Sequence, residues 1–366
     1  MQNDLKDLAS VNLVKSSEKT RKEFPSIIKG VEKSPFKETW KKELIKCVNK
    51  EERKEVYVAR KALLIIRRLS KTEARGMYIS SEGHILDHKQ SRDSLIHLGL
   101  INIVESNNFN KKKLKGLNID YMDIKGSVIW NFFSNNYTHF LLDELAHLLI
   151  LEDSGYKGKM LYLNDYDCKW RRRWLDQIAI YEERVDLPNS ELVICKIEKL
   201  IIPVYAGLIS KSENLELKVK TLYLNNKTQV SVSGKKEGPR VILIPSVKEG
   251  ISRIENFDEL VNTSKKYHKS LVWTPEIMDS NEKYQFLNRY NGSILVCTGS
   301  GIMNAILYKE LLAGIILLLE EWSAEDETML YGGIAYYLSV FDKALFIKGK
   351  ESNRIGQTFV SQTLFP

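Results

Sequence analysis

A chain of 366 residues, 43% hydrophobic and 28% charged, has an ordinary globular composition and enough length for two domains with sizeable cores. Its net charge of +8 suits anionic small molecules or an acidic membrane surface and does not by itself imply nucleic acid. The cysteines Cys47, Cys168, Cys195 and Cys297 stand far apart with no C-x-x-C pair, which argues against a zinc site and a disulfide framework and for a reducing compartment.

The opening residues MQNDLKDLAS lack the apolar stretch of a secretion signal. The longest apolar run, 311–319, is about half of the ~20 residues that span a bilayer, so a cytoplasmic protein is expected. Residues 1–36 are polar and of mixed charge, and read as irregular or loosely helical. Over 37–70 apolar residues recur at helical spacing, first Trp40, Leu44, Ile45 and Val48, then from Val56 to Leu69, with Lys and Arg between them. This predicts one or two basic amphipathic helices, packed on the main body as an accessory or resting peripherally on anionic lipid.

From Arg75 the texture changes. Gly76-Met77-Tyr78-Ile79 and His84-Ile85-Leu86 flank the turn Ser80-Ser81-Glu82-Gly83, which predicts a β-hairpin. A strand is expected over 126–133, a helix through Leu151, a strand over 159–163 and a helix over 170–180, an alternation that points to a parallel α/β sheet. Residues 186–235 read as strand-rich and irregular, and 233–239 as a loop. The second half alternates most clearly: strand 241–245, helix 256–266, strand 270–273, helix 281–289, strand 293–297, helix 302–312 and strand 314–319.

Chemistry could sit in several places. Cys297-Thr298-Gly299-Ser300-Gly301-Ile302-Met303-Asn304 is an apolar strand end, a glycine-rich turn and a helix start. In a parallel sheet this is the carboxyl edge, where ligands bind. Its spacing matches neither G-x-G-x-x-G nor a P-loop, and a tight βα turn that needs small residues accounts for it equally well. His139 and Asp143 are four apart on a helix, hence on one face, and His147 extends the line. Such a pair can do acid–base work on a hydroxyl, or simply satisfy itself structurally. Asp165-Tyr166-Asp167 after an apolar strand has the form of a D-x-D metal and pyrophosphate ligand, a pattern also common by chance. Trp170-Arg171-Arg172-Arg173-Trp174 reads as a solvated helix face with two buried tryptophans, because three consecutive helical arginines point three ways. No motif supports nucleic-acid binding.

Four blocks, in order, resemble glycosyltransferase family 61. Asn136-Tyr137-Thr138-His139-Phe140-Leu141-Leu142-Asp143 is similar to N-x-x-H-W-x-x-D. Arg253-Ile254-Glu255-Asn256-Phe257-Asp258-Glu259-Leu260 is similar to R-x-x-N-x-x-E-L. Thr274-Pro275-Glu276 with Glu282-Lys283-Tyr284-Gln285-Phe286 lies near the segment that precedes the family's glycine turn. Gly299-Ser300-Gly301-Ile302-Met303-Asn304, with Glu320 ending the next strand, is similar to H-G-A-G-L-x-N and its following glutamate. The resemblance runs over about residues 76–345. Thr298 stands where the family has its histidine and Phe140 where it has its tryptophan. The family's arginine after the strand near Ile244 is absent, with Lys248 positioned to supply the charge.

The resemblance implies an α/β, GT-B-like fold of two Rossmann-like lobes. The expected organisation is a helical N-terminal extension over 1–75, an acceptor-side lobe over 76–200 and a nucleotide-sugar lobe over 201–366. It implies inverting, metal-independent transfer of a sugar from a nucleotide-sugar donor to a glycan or glycoconjugate acceptor in surface-polysaccharide synthesis, with no cofactor. Asp143 or His139 would deprotonate the acceptor, each assignment remaining open. Asn136, Lys248, Arg253, Asn256, Thr298, Gly299, Ser300, Gly301, Asn304 and Glu320 would bind substrate. The departures from the pattern keep a second reading open, a non-catalytic relative that binds a glycan or a protein. A homo-oligomer also stays open.

Overall fold

The computed structural model describes residues 11–16, 38, 42, 45, 53–68, 74–83, 86, 118–130, 137, 140–163, 169–178, 180–206, 218, 237–245, 247, 248, 251, 252, 254–275, 278–319, 344–348, 350, 351, 358 and 359. The chain forms two compact units, one of Met1–Lys19 with Arg53–Ala206 and one of Thr20–Glu52 with Gly207–Pro366. Both are mixed α/β, and most strand pairs are parallel.

The first unit contains β1 (Val11–Ser16), β2 (Arg53–Arg68), β3 (Ala74–Ile79), β4 (Ile119–Ile129), β5 (Gly158–Tyr162), β6 (Tyr181–Asp186) and β7 (Leu192–Ala206). They form a seven-stranded sheet in the order β1-β2-β7-β4-β5-β6, with β3 also on β2. One edge of β2 pairs antiparallel with β1 and then with β3; its other edge pairs antiparallel with β7 from Arg53↔Ala206 to Arg67↔Leu192. The pairs β7–β4, β4–β5 and β5–β6 are parallel.

This corrects the expected helical extension over 1–75 at residues 11–16 and 53–68. Residues 53–68 are a strand inside the sheet, and residues 11–16 are another. Single residues Glu38, Lys42 and Ile45 are helical. The physical reason lies in the two buried faces of β2. Val56, Tyr57, Val58 and Ala59 are buried in succession, as are Leu64, Ile65 and Ile66, and an amphipathic helix would have exposed a stripe between them. The run is also rich in β-branched and aromatic residues, which favour a pleated surface. Glu55 is buried there too, its Oε2 accepting the Tyr57 hydroxyl at 2.6 Å.

The expected turn after β3 is present: Gly83 N donates to Ser80 O at 3.0 Å, and Leu86 N donates to Tyr78 O at 2.8 Å. Between β4 and β5 lie a π-helical turn, Phe140–Leu145, and α1 (Ala146–Ser154). Helix α1 packs across β7 and β2. It ends on Gly155 at φ 71°, with Gly155 N on Glu152 O and Tyr156 N on Leu151 O, the paired carbonyl caps of a Schellman motif. Helix α2 (Lys169–Leu175) links β5 to β6.

The second unit holds β8 (Val241–Leu243), a hairpin of β9 (Val247–Lys248) and β10 (Ile251–Ser252), α3 (Phe257–Tyr267), β11 (Ser270–Val272), α4 (Ser280–Arg289), β12 (Ser293–Cys297), α5 (Ile302–Leu307), β13 (Leu312–Leu319) and β14 (Ala344–Lys348). Its main sheet has five strands in the order β11-β8-β12-β13-β14, all parallel. In chain order this is 2-1-3-4-5, the doubly wound arrangement whose winding reverses between the first and third strands. Leu243, Val296 and Leu318 from the sheet pack with Ile254, Leu260 and Val261 from the α3 side. Helix α4 is closed by a capping box: Glu282 N donates to Asp279 Oδ1 at 2.8 Å and Asp279 N to Glu282 Oε2 at 2.7 Å.

Candidate functional site

Because the five strands are parallel, their carboxyl ends share one sheet edge. The winding reverses between β8 and β12, so the chain leaves these neighbours toward opposite faces of the sheet, the position at which doubly wound folds bind ligands. The 299–304 turn lies there. Ile244 N donates to Val296 O at 2.9 Å, carrying the β8–β12 ladder to this edge. Beyond it the chain turns through a 3-10 segment, Gly299–Gly301, closed by Gly301 N on Thr298 O at 3.3 Å.

The two glycines serve different ends. Gly299 has φ 54°, a left-handed conformation that side chains resist. Gly301 is helical at φ −57°, yet a Cβ there would sit 3.3 Å from Cys297 Cβ and 3.3 Å from Ile244 Cγ2. Gly301 is therefore small because the turn packs directly on the end of β8. Asn304 is buried, its Nδ2 donating to Gly301 O at 3.1 Å while its Oδ1 has no hydrogen-bond partner among the described residues. Thr298 is 3% exposed, so the hydroxyl residue in the place of the family histidine faces inward rather than outward. Cys297 precedes it; burial pushes its thiol well above the ordinary range, which keeps it protonated and removes it as a nucleophile.

Two other expected substrate residues follow β8 in the chain. Lys248 is in β9, paired with Ile251. Asn256 is buried at the start of α3, and its side chain does not cap that helix. The structure thus gathers Thr298, Gly299, Ser300, Gly301 and Asn304 at the end of β12. Asn136, His139, Arg253 and Glu320 lie outside the described residues, as do Asp165 and Asp167.

Asp143 belongs to the first unit, in the π-helical turn. Such turns carry one extra residue against the α-helical ladder and recur at functional sites. His147 follows, buried in α1. The turn is held by α2. Trp170 meets Phe140 edge-on at 5.2 Å and Tyr137 edge-on at 5.2 Å. Arg171 pairs with Glu144, Nη2 to Oε1 at 2.6 Å and Nε to Oε2 at 3.4 Å, with side chains 2% and 0% exposed. Arg172 lies over the Tyr162 ring at 5.8 Å, and only Arg173 of the three arginines is exposed. The expected solvated arginine face is corrected: the charge of Arg171 turns inward because a carboxylate 27 residues earlier meets it. The one local sign of this was the flanking of the arginines by two tryptophans.

No protein-family model and no curated protein matches the chain. Among the described residues no group of three or more His, Cys, Asp or Glu could hold a metal ion, and no helix is long and apolar enough to cross a membrane.

Proposed function

We propose that the chain is an inverting, metal-independent glycosyltransferase that moves a sugar from a nucleotide-sugar donor to a glycan or glycoconjugate acceptor in surface-polysaccharide synthesis. The observation that carries the reading is the position of the 299–304 turn at the winding reversal of a five-stranded parallel sheet. The order of the four sequence blocks supports it. The two GT-B lobes, donor on the second unit and acceptor on the first, are part of the same proposal.

In this reading the donor diphosphate lies against the backbone of the turn, where glycine allows close approach. Arg253 and Lys248 offset the charge of the departing diphosphate, a stabilisation largest where water is excluded. Ser300, Asn136 and Glu320 hold donor or acceptor hydroxyls, while the buried Thr298, Asn304 and Asn256 shape the polar wall behind them. Asp143 or His139 takes the acceptor's proton as its oxygen attacks the anomeric carbon from the face opposite the diphosphate. The glycosidic C–O bond forms as the anomeric C–O bond to phosphate breaks, and the nucleoside diphosphate leaves.

The test is a thermal-shift screen with nucleoside diphosphates and nucleotide sugars, followed by turnover of the best donor. A nucleotide at a hundredfold excess over its Kd stabilises the folded chain by about 2.7 kcal/mol. Arg253→Ala removes that shift, Asp143→Asn lowers turnover by roughly 100- to 10,000-fold, and EDTA changes nothing. Absence of any nucleotide shift, or full activity in both variants, would overturn the reading. Thr298 in the histidine position favours one rival, a binding protein without turnover; it predicts a nucleotide or glycan shift with no product from any donor.

A further inference from the structure

We propose that the Glu144–Arg171 ion pair is a positioning device: it fixes the π-helical turn that contains Asp143, and so sets the rate of proton removal rather than the stability of the unit. The second half of this inference rests on Asp143 serving as the base; the first half does not.

Stability is a poor account of the pair. Both side chains are almost wholly buried. Removing two charges from water costs several kcal/mol each, and an apolar pair of equal volume generally stabilises a core as well or better. An apolar pair lacks direction, whereas the pair here uses two hydrogen bonds from one planar guanidinium, which fixes a carboxylate in angle as well as distance.

What is fixed is an unusual element. A π-helical turn is intrinsically less favourable than the α-helix that follows it and persists where the surroundings hold it. Consecutive residues of α2 grip its two ends. Trp170 packs on Phe140, the first residue of the turn, and the Arg171 guanidinium also lies 5.7 Å from the Phe140 ring. Arg171 then binds Glu144, next to last. Asp143 lies between the gripped positions, one residue from Glu144, so a shift of this pair is passed directly to its backbone.

Two measurements on the full chain decide it: hydrogen exchange of amides 140–147 by mass spectrometry, and turnover with a panel of UDP-, GDP- and dTDP-activated sugars. In the double variant Glu144→Leu/Arg171→Met the melting temperature stays within a few degrees of native, while amides 140–147 exchange about tenfold faster. With a donor that the native chain turns over, kcat falls roughly 10- to 100-fold and the donor KM stays within about twofold, because a small misplacement slows chemistry without touching donor contacts. Arg171→Lys, which keeps the charge but loses the fork, gives an intermediate loss and decides the matter should the double variant not fold.

Native exchange rates over 140–147 in the folded variants overturn the proposal, and so does native kcat. Silence of the native chain across the panel instead counts against the glycosyltransferase reading, and the exchange measurement alone then settles whether the pair holds the turn.

Discussion

Replacing each glycine of the 299–304 turn separates two physical reasons for the same residue type. Gly301→Ala introduces a Cβ 3.3 Å from both Cys297 Cβ and Ile244 Cγ2, tighter than ordinary contact on two sides, on a backbone that any residue adopts. Overpacking of this kind costs about 1–3 kcal/mol, which for a unit of this size is roughly 2–12 °C in melting temperature. Gly299→Ala forces φ 54° on an L-residue at an exposed position, a cost of about 1–2 kcal/mol. Asparagine tolerates that conformation, so Gly299→Asn is milder than Gly299→Ala, whereas Gly301→Asn is worse than Gly301→Ala because it is larger. Thermal and urea denaturation of the four variants measure this. The same order of residues at both positions, or a native melting temperature for Gly301→Ala, would refute the claim that the turn is packed on the end of β8.

Gly158→Ala places a Cβ 2.9 Å from the Ser127 carbonyl oxygen, a backbone atom that cannot swing aside, so it destabilises by about 1–3 kcal/mol or more and perturbs amide exchange at the β4–β5 crossing. Asp279→Ala removes the capping box of α4 and costs about 0.5–2 kcal/mol by urea denaturation, with Glu282→Ala added to it costing little further because both bonds belong to one motif. Burial raises the Cys195 thiol from 9.0 to about 12 and the Cys297 thiol in the same direction. Their contribution to stability is whole below pH about 9 and is lost as the pH climbs toward 12, since only the unfolded chain ionises them there. Peptide mapping after iodoacetamide at pH 8 accordingly finds both unmodified in the native chain and modified in guanidinium; labelling of either in the native chain would contradict their burial.

Much of the second unit was legible in the sequence, because a strand buried on both faces of a parallel sheet is a short apolar run and little else looks like one. Val241-Ile242-Leu243, Ile294-Leu295-Val296 and Ile315-Ile316-Leu317 are such apolar runs, mostly buried although Ile294 at the start of β12 is exposed, and helix signals such as Asp279 with Glu282 separate them. The 299–304 turn was legible for the same reason, as the break at the end of one of these strands. Arg53–Arg68 was not. Its spacing fits a helical period as well as a strand, and the deciding fact is the row of hydrogen bonds to β7, well over a hundred residues later.

What the sequence by itself determined is local: where apolar runs alternate with capped helices, and which small residues end them. Tertiary structure alone decided three things. It set the order β11-β8-β12, which places an ordinary βα turn at the winding reversal of the sheet. It set the contact of Gly301 with Ile244, and the meeting of Arg171 with Glu144. Each depends on residues far apart in the chain coming within a few ångströms, and that proximity is set by sheet pairing and core packing, which no short window of sequence contains.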